Sequence, residues 1–374
     1  MSALPKAAIS FPAGFEDICD FRRVHAELEI AEPRIQAVPY LWQWKRIRER
    51  LLANDILDLT KVNRRAFALC NPGFGGRPLA ATTLFAAVSV YFPGDKAPVH
   101  RHTASASRFS LEGSGGYTTV AGEKLPMQRG DLVITPNGEW HDHGNEGTEP
   151  IFWVDMLDAP LVENMNAIMT EWNYSGGEAI GRPGEGKSVQ VPKPELQGYS
   201  RRTFSGAGIV PLSGWDGRKG RRFSPKYSYP AGEVRAVQES LRDEPGSPYD
   251  GVIVEYVDPA TGNPVIPTMS FRSQLLRPGE KTLPQRRTAS TVFCVLEGNG
   301  RTKFDDQVFD WSRHDIFVIP GWNWYCIENA SSSEDAIIYS VSDSPALEKL
   351  GLYRAQGRSA AGAVVDLSRW PEFS

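Results

Sequence analysis

The chain has 374 residues, 41% hydrophobic and 23% charged, an ordinary globular profile with length for about two to three domains. Lysine and arginine total 41 against 45 acidic residues, a net charge of −4, so an electrostatic nucleic-acid binder is not expected. The one basic cluster, Arg218, Lys219, Arg221 and Arg222, lies among glycines and reads as a solvated loop.

The opening residues lack the apolar core of a signal peptide. The most apolar window, 79–92, is interrupted by Thr82, Thr83 and Ser89 and is too short to span a bilayer. Cys19, Cys70, Cys294 and Cys326 show neither CxxC spacing nor a disulfide framework. A cytoplasmic protein with reduced thiols, and no membrane or nucleic-acid partner, is expected.

In chain order, YLWQWKRIRERLL places Leu41, Trp44, Leu51 and Leu52 near one helical face. Residues 81–92, 107–112, 117–120, 131–135 and 151–157 read as strands cut by PGD, EGSG, AGE, RGD and NEGTE turns, the rhythm of an antiparallel sandwich or barrel. Asp158 and Pro160 then predict the start of a helix with an apolar stripe of Leu161, Met165, Ile168, Met169 and Trp172. Residues 173–200 read as a linker or long loop.

The chain also repeats itself. LLRPGEKTLPQRRTASTVFCVLEGNG (275–300) echoes VYFPGDKAPVHRHTASASRFSLEGSG (90–115), and HDIFVIPGWNWYCIEN (314–329) echoes GDLVITPNGEWHDHGN (130–145). The offset, from His100 to Gln285, is 185 residues. The organisation predicted is an N-terminal helical arm (1–65), a first β module (66–160), a helix-bearing linker (161–250), a second β module (251–345) and a tail (346–374).

Four of the six histidines fall in two short clusters. His100 and His102, at i and i+2 on a strand, point to one face, and His141 and His143 repeat that spacing. Neutral imidazoles are the commonest protein ligands of first-row metals, so this convergence points to a metal site rather than to hydrogen-bonded barrel histidines.

These segments resemble the cupin superfamily. Its first motif is matched by Gly94, His100-Arg101-His102 and Gly113, and its second by Gly130, Pro136-Asn137-Gly138, His141 and Asn145. The resemblance implies an all-β fold with helical additions, a bicupin of two jelly-roll (double-stranded β-helix) barrels. Where the common motif carries a glutamate ligand, this chain has Ala106 and Ser107. The implied ligands are therefore His100, His102 and His141, all neutral, which leaves the metal its full charge to attract a dianionic chelating substrate and disfavours an oxalate decarboxylase type. In the second repeat the corresponding residues are Gln285, Arg287 and Tyr325, with Phe293 at the position of Arg108, so one metal per chain is expected.

NPGFGGRPLAATTLFAA, APVHRHTASASRFSLEG, GDLVITPNGEWHDHGN and WVDMLDAP narrow the resemblance to the bicupin ring-cleaving dioxygenases of gentisate, salicylate and 1-hydroxy-2-naphthoate. That family implies Fe(II), dioxygen as co-substrate, a homotetramer, and cleavage of an aromatic ring between its carboxyl- and hydroxyl-bearing carbons. Arg108 is expected to anchor the substrate carboxylate with its planar fork. Arg64 looks like the family's second substrate-side arginine, with a surface ion pair as the rival reading. His143 is expected to act as acid or base beside the metal, and Asp155 to hold His143 or a ring substituent. Phe85, Ala87 and Ser89 share one strand face and are expected to line the pocket. Phe85 stands where relatives carry Trp or Tyr, and Ser89 and Ala104 where they carry Gln. Ala87 fits the gentisate pattern, whereas the salicylate enzyme has Gly.

Gentisate is the substrate expected first. Salicylate, 5-nitrosalicylate, 5-aminosalicylate and 1-hydroxy-2-naphthoate are alternatives, and a non-catalytic metal-binding or ligand-sensing bicupin is the alternative of another class.

Overall fold

Apolar runs too short to bury a helical face, many of them ended by a glycine turn, build sheets here. Gly94, Gly113, Gly130, Gly279 and Gly298 all turn in the left-handed region, with φ between +69° and +90°. Gly113 is also fixed by space, since a Cβ there would lie 2.4 Å from the Pro150 carbonyl oxygen. The computed structural model describes residues 32–53, 65–180, 184–205, 224–305 and 307–368, and the compact unit begins at Ile35.

The first strands are β1 (Tyr40–Trp42), β2 (Arg65–Ala68), β3 (Phe85–Tyr91), β4 (Lys96–His102), β5 (Ala106–Glu112) and β6 (Ser114–Val120). They continue as β7 (Glu123–Gln128), β8 (Leu132–Thr135), β9 (His141–Asn145), β10 (Ile151–Leu157) and β11 (Thr170–Glu171). A small hairpin, β12 (Glu178–Ala179) and β13 (Ser188–Val189), leads to β14 (Ser228–Tyr229) and β15 (Val252–Tyr256). The second repeat supplies β16 (Ser270–Leu276), β17 (Gln285–Arg287), β18 (Thr291–Glu297), β19 (Asn299–Phe304) and β20 (Gln307–Ser312). It ends with β21 (Ile316–Ile319), β22 (Tyr325–Asn329), β23 (Ala336–Ser342), β24 (Ala355–Arg358) and β25 (Val364–Ser368).

The first barrel is formed by the sheets β14-β8-β5-β10-β3-β2 and β11-β4-β9-β6-β7. The second is formed by β1-β21-β18-β23-β16-β15 and β20-β19-β22-β17-β24-β25. The fold is a bicupin. Each large sheet takes an edge strand from the other half of the chain: β1 pairs with β21, and β14 with β8.

Period-two alternation assigns the strand faces. On β3, Ala86, Val88 and Val90 enter the core between the two large sheets, where the ring of Phe109 lies parallel to Tyr339 at 3.8 Å. Tyr91 points the other way, into the first barrel, and stacks on Trp153. Two buried carboxylates join the barrels reciprocally. Asp158 accepts from the Ser105 amide and from the hydroxyl of Thr268, and Asp343 accepts from the Ser290 amide and from the hydroxyl of Thr83. The two sets are related by the same 185-residue offset as the repeat.

Three expectations change. Residues 40–42 form β1 rather than helix, and helix α1 (Trp44–Leu52) buries Trp44 and Leu51. The helix begun at Asp158 is only α2 (Ala159–Asn164); Asn166 turns left-handed at φ +54°, and Met165, Ile168, Met169 and Trp172 are exposed. Residues 173–200 are more than a loop. Gln190 donates its side-chain amide to the Thr119 and Trp140 carbonyls, which ties this segment across the outer face of the first barrel, and helix α3 (Tyr199–Thr203) follows.

Candidate active site

His100 and His141 face each other directly across β4 and β9, with a bulge between Ala97 and His100. The spacing of two along each strand adds His102 and His143 to the same interior face. The ring of His141 lies 4.3 Å from that of His100, 4.7 Å from His102 and 5.4 Å from His143.

Three rings share one local device. Nδ1 of His100 is 2.9 Å from the Pro98 carbonyl oxygen, Nδ1 of His102 is 2.6 Å from that of Ala104, and Nδ1 of His141 is 2.8 Å from that of Glu139. A carbonyl only accepts, so in the neutral ring the proton belongs on Nδ1 and the lone pair on Nε2. Nε2 of His141 is buried without a hydrogen-bond partner. Burial first, and then His100, Arg108 and His102, hold His141 well below the ordinary histidine range and so keep it neutral.

An orphaned buried nitrogen among neutral imidazoles is the environment that a first-row dication fits. By distance, the nitrogens of His100, His141 and His143 group within 4.8 Å. By hydrogen bonding, His102 shares the Nδ1–carbonyl arrangement of His100 and His141. Nδ1 of His143 instead meets the Thr118 hydroxyl at 3.0 Å, and a hydroxyl either donates or accepts, so it sets no tautomer. No carboxylate joins the grouped histidines among the described residues.

The opposite sheet supplies the anion-binding side. Arg108 on β5 and Asp155 on β10 are register partners, both buried, and Arg108 Nε lies 3.3 Å from Asp155 Oδ1. Trp153 Nε1 donates to Oδ1 at 3.1 Å, and the Ser89 hydroxyl donates to Oδ2 at 2.5 Å. Arg108 Nη1 donates to Thr135 Oγ1 at 2.6 Å. Asp155 thus holds Arg108, which the β5–β10 register sets directly opposite it. Ala87 is buried and Phe85 half-buried at alternating positions of β3 with Ser89. Arg64 lies outside the described residues; its neighbour Arg65 is buried and donates to the Leu51 and Ala53 carbonyls at the end of α1.

Thr118, Thr135 and Trp153 were not singled out by the sequence. For Trp153 a signal existed, its alternation with Asp155. The two threonines carry none.

A family model described as a cupin domain matches residues 87–157. The chain is 35% identical to gentisate 1,2-dioxygenase 1 of Aquipseudomonas alcaligenes, covering 90% of this chain and 92% of that one. It is also 35% identical to 5-aminosalicylate 1,2-dioxygenase of a Comamonas species, covering 88% and 84%. The crystal structure of salicylate 1,2-dioxygenase from Pseudaminobacter salicylatoxidans superposes with a TM-score of 0.76 at 28% identity, covering 91% and 98%.

The chain belongs to the gentisate/salicylate 1,2-dioxygenase family. It is a ring-cleaving dioxygenase of that type.

Within this family's two-barrel architecture, only the first barrel of this chain keeps the histidines. In the second, Arg287 Nη2 lies 3.0 Å from Asp250 Oδ2 and donates to Gln285 Oε1 at 2.7 Å, and Gln285 donates to the Tyr249 carbonyl. An internal cation and its carboxylate fill the position. Phe293 packs against Phe317 and Tyr325, so the barrel's interior is apolar where the first holds Arg108.

Proposed function

We propose that this dioxygenase is Fe(II)-dependent and cleaves gentisate between its carboxyl- and hydroxyl-bearing carbons, giving a maleylpyruvate-type product in aromatic catabolism. The reading places one iron per chain on His100, His102 and His141, in a cytoplasmic homotetramer as the family resemblance implies. The observation that carries it is the pairing of three carbonyl-oriented imidazoles on one sheet with a buried arginine on the facing sheet. Neutral ligands leave a dication its charge, and the arginine adds a second anchor for a carboxylate.

When bound, Fe(II) supplies chelation of the carboxylate and ortho-hydroxyl oxygens and the activation of dioxygen. The remaining work belongs to the chain. Arg108 binds the carboxylate, Thr135 and Asp155 fix the plane of its guanidinium, and the buried barrel interior excludes water. His143 holds the proton that leaves the ring hydroxyl, with Nδ1 steadied by Thr118.

Ala87 supports gentisate over salicylate, since its methyl group occupies space that a glycine leaves for a ring set deeper. The likeness to a 5-aminosalicylate enzyme supports a second reading, in which an amino group donates to Asp155. Oxygen uptake by the iron-loaded enzyme, with mass spectrometry of the product, tests both. Gentisate is expected to gain two oxygen atoms and open; metal binding with no turnover of any 2-hydroxybenzoate would make the chain a non-catalytic bicupin.

A further inference from the structure

We infer that Trp172 is a positioning residue for His100, clamping the imidazole plane so that the bound metal is released slowly. The inference rests on the reading of His100 as a metal ligand.

The left-handed turn at Asn166 reverses the chain after α2 and lays β11 alongside β4. Thr170 pairs with His102 and Glu171 with Arg101, so the next position in this register sets Trp172 opposite His100. Side-chain contacts lock the register. Arg101 donates twice to Glu171, at 3.0 and 2.6 Å, and Thr103 exchanges hydrogen bonds with Met169 and Ala167. The indole stacks on the His100 ring at 4.8 Å with 26° between planes. Trp172 remains 54% exposed, whereas His100 beneath it is only 7% exposed. An exposed indole that covers an imidazole is placed to shield it rather than to fill a core.

The second barrel provides an internal control. There β24 pairs with β17 in the same register, and Gln285, the counterpart of His100, faces Gly357, the counterpart of Trp172. A Cβ at Gly357 would lie 2.4 Å from the ring of Tyr249, so another segment fills that space. The indole stands beside the first barrel's histidine, and the equivalent place in the second barrel holds a glycine.

The physical effect is on ligand motion. For a metal to leave, an imidazole must swing aside and be rehydrated. The Pro98 carbonyl holds one edge of His100, and the indole blocks the ring's face.

The test loads the full-length protein with Co(II), whose visible absorbance reports nitrogen coordination, and follows its loss to a chelator. Trp172→Ala and Trp172→Leu are expected to release metal about tenfold faster than wild type, with Trp172→Phe close to wild type. Because Trp172 is more than half exposed, the thermal midpoint should hardly move, and Met169→Ser serves as an exposed neighbour that leaves release unchanged. Equal release rates for Trp172→Ala, Trp172→Leu and wild type would overturn the clamp while leaving the metal site intact. Failure of wild type to take up one Co(II) would instead remove the reading of the site on which it rests.

Discussion

Arg108 Nε lies 3.3 Å from Asp155 Oδ1, between neighbouring strands and within the barrel interior. Moving both charges out of water costs several kcal/mol each, and their attraction offsets this only with good geometry and further hydrogen bonds. Thr135, Ser89 and Trp153 supply those bonds. The arrangement holds the guanidinium at a fixed place and makes each charge depend on the other.

Removing one partner should therefore cost more than removing both. Asp155→Leu is expected to lower stability by about 3–5 kcal/mol, because it leaves Arg108 buried without its carboxylate. The double variant Arg108→Met/Asp155→Leu should lose less than Asp155→Leu alone, although it too will bind substrate poorly. Urea unfolding of wild type, Arg108→Met, Asp155→Leu and the double variant measures the coupling, and additive losses would mean that the contact carries no energy.

Which histidine completes the metal site is decided by metal content. His102→Ala and His141→Ala should each purify with little metal, whereas His143→Ala should keep nearly a full equivalent and lose turnover. If His143→Ala loses the metal and His102→Ala retains it, the compact trio of His100, His141 and His143 is the ligand set.

The inter-barrel carboxylate Asp343 gives a pH signature. Burial raises its pKa from 3.8 to about 6 against the hydrogen bonds from Thr83 and Ser290. Between those values the folded state binds more protons than the unfolded, so the contribution of Asp343 to stability grows as pH falls through 6 and shrinks as pH rises. Relative to Asp343→Asn, wild type should gain about 2 kcal/mol between pH 7.5 and pH 4.5. Paired denaturant titrations at the two pH values isolate this difference from the other titrating groups. A pH-independent difference would place the charge on Asp343 in both folded and unfolded protein.

The proposed pocket strand β3 makes substrate choice testable. Gentisate should have a higher kcat/KM than salicylate, and Ala87→Gly should narrow that gap by returning the space of one methyl group. Ser89→Ala, which removes a donor from Asp155 Oδ2, should alter KM for 5-substituted acids more than for salicylate. A tenfold preference for 5-nitro- or 5-aminosalicylate over gentisate, about 1.4 kcal/mol, would reassign the substrate.

The sequence by itself determined what depends on local spacing. Histidines two apart on a strand share a face, left-handed turns favour glycine, and the echo between 90–115 and 275–300 required two barrels of one kind, with the second lacking the histidine pairs. Those relations hold for any strand, whatever its neighbours. Only the tertiary structure decided which distant residues meet. The apolar stripe from Leu161 to Trp172 satisfies a helical period, but Asn166 turns left-handed and Trp172 lands on His100. Asp155, as compatible in sequence with His143 as with Arg108, faces the arginine because β10 pairs with β5 in one register, and a slip of one residue would turn it to the other face. The crossing of β1 into the second barrel and β14 into the first is likewise unreadable from either strand, since an edge strand is chosen by the free backbone donors and acceptors that it finds, not by its own side chains.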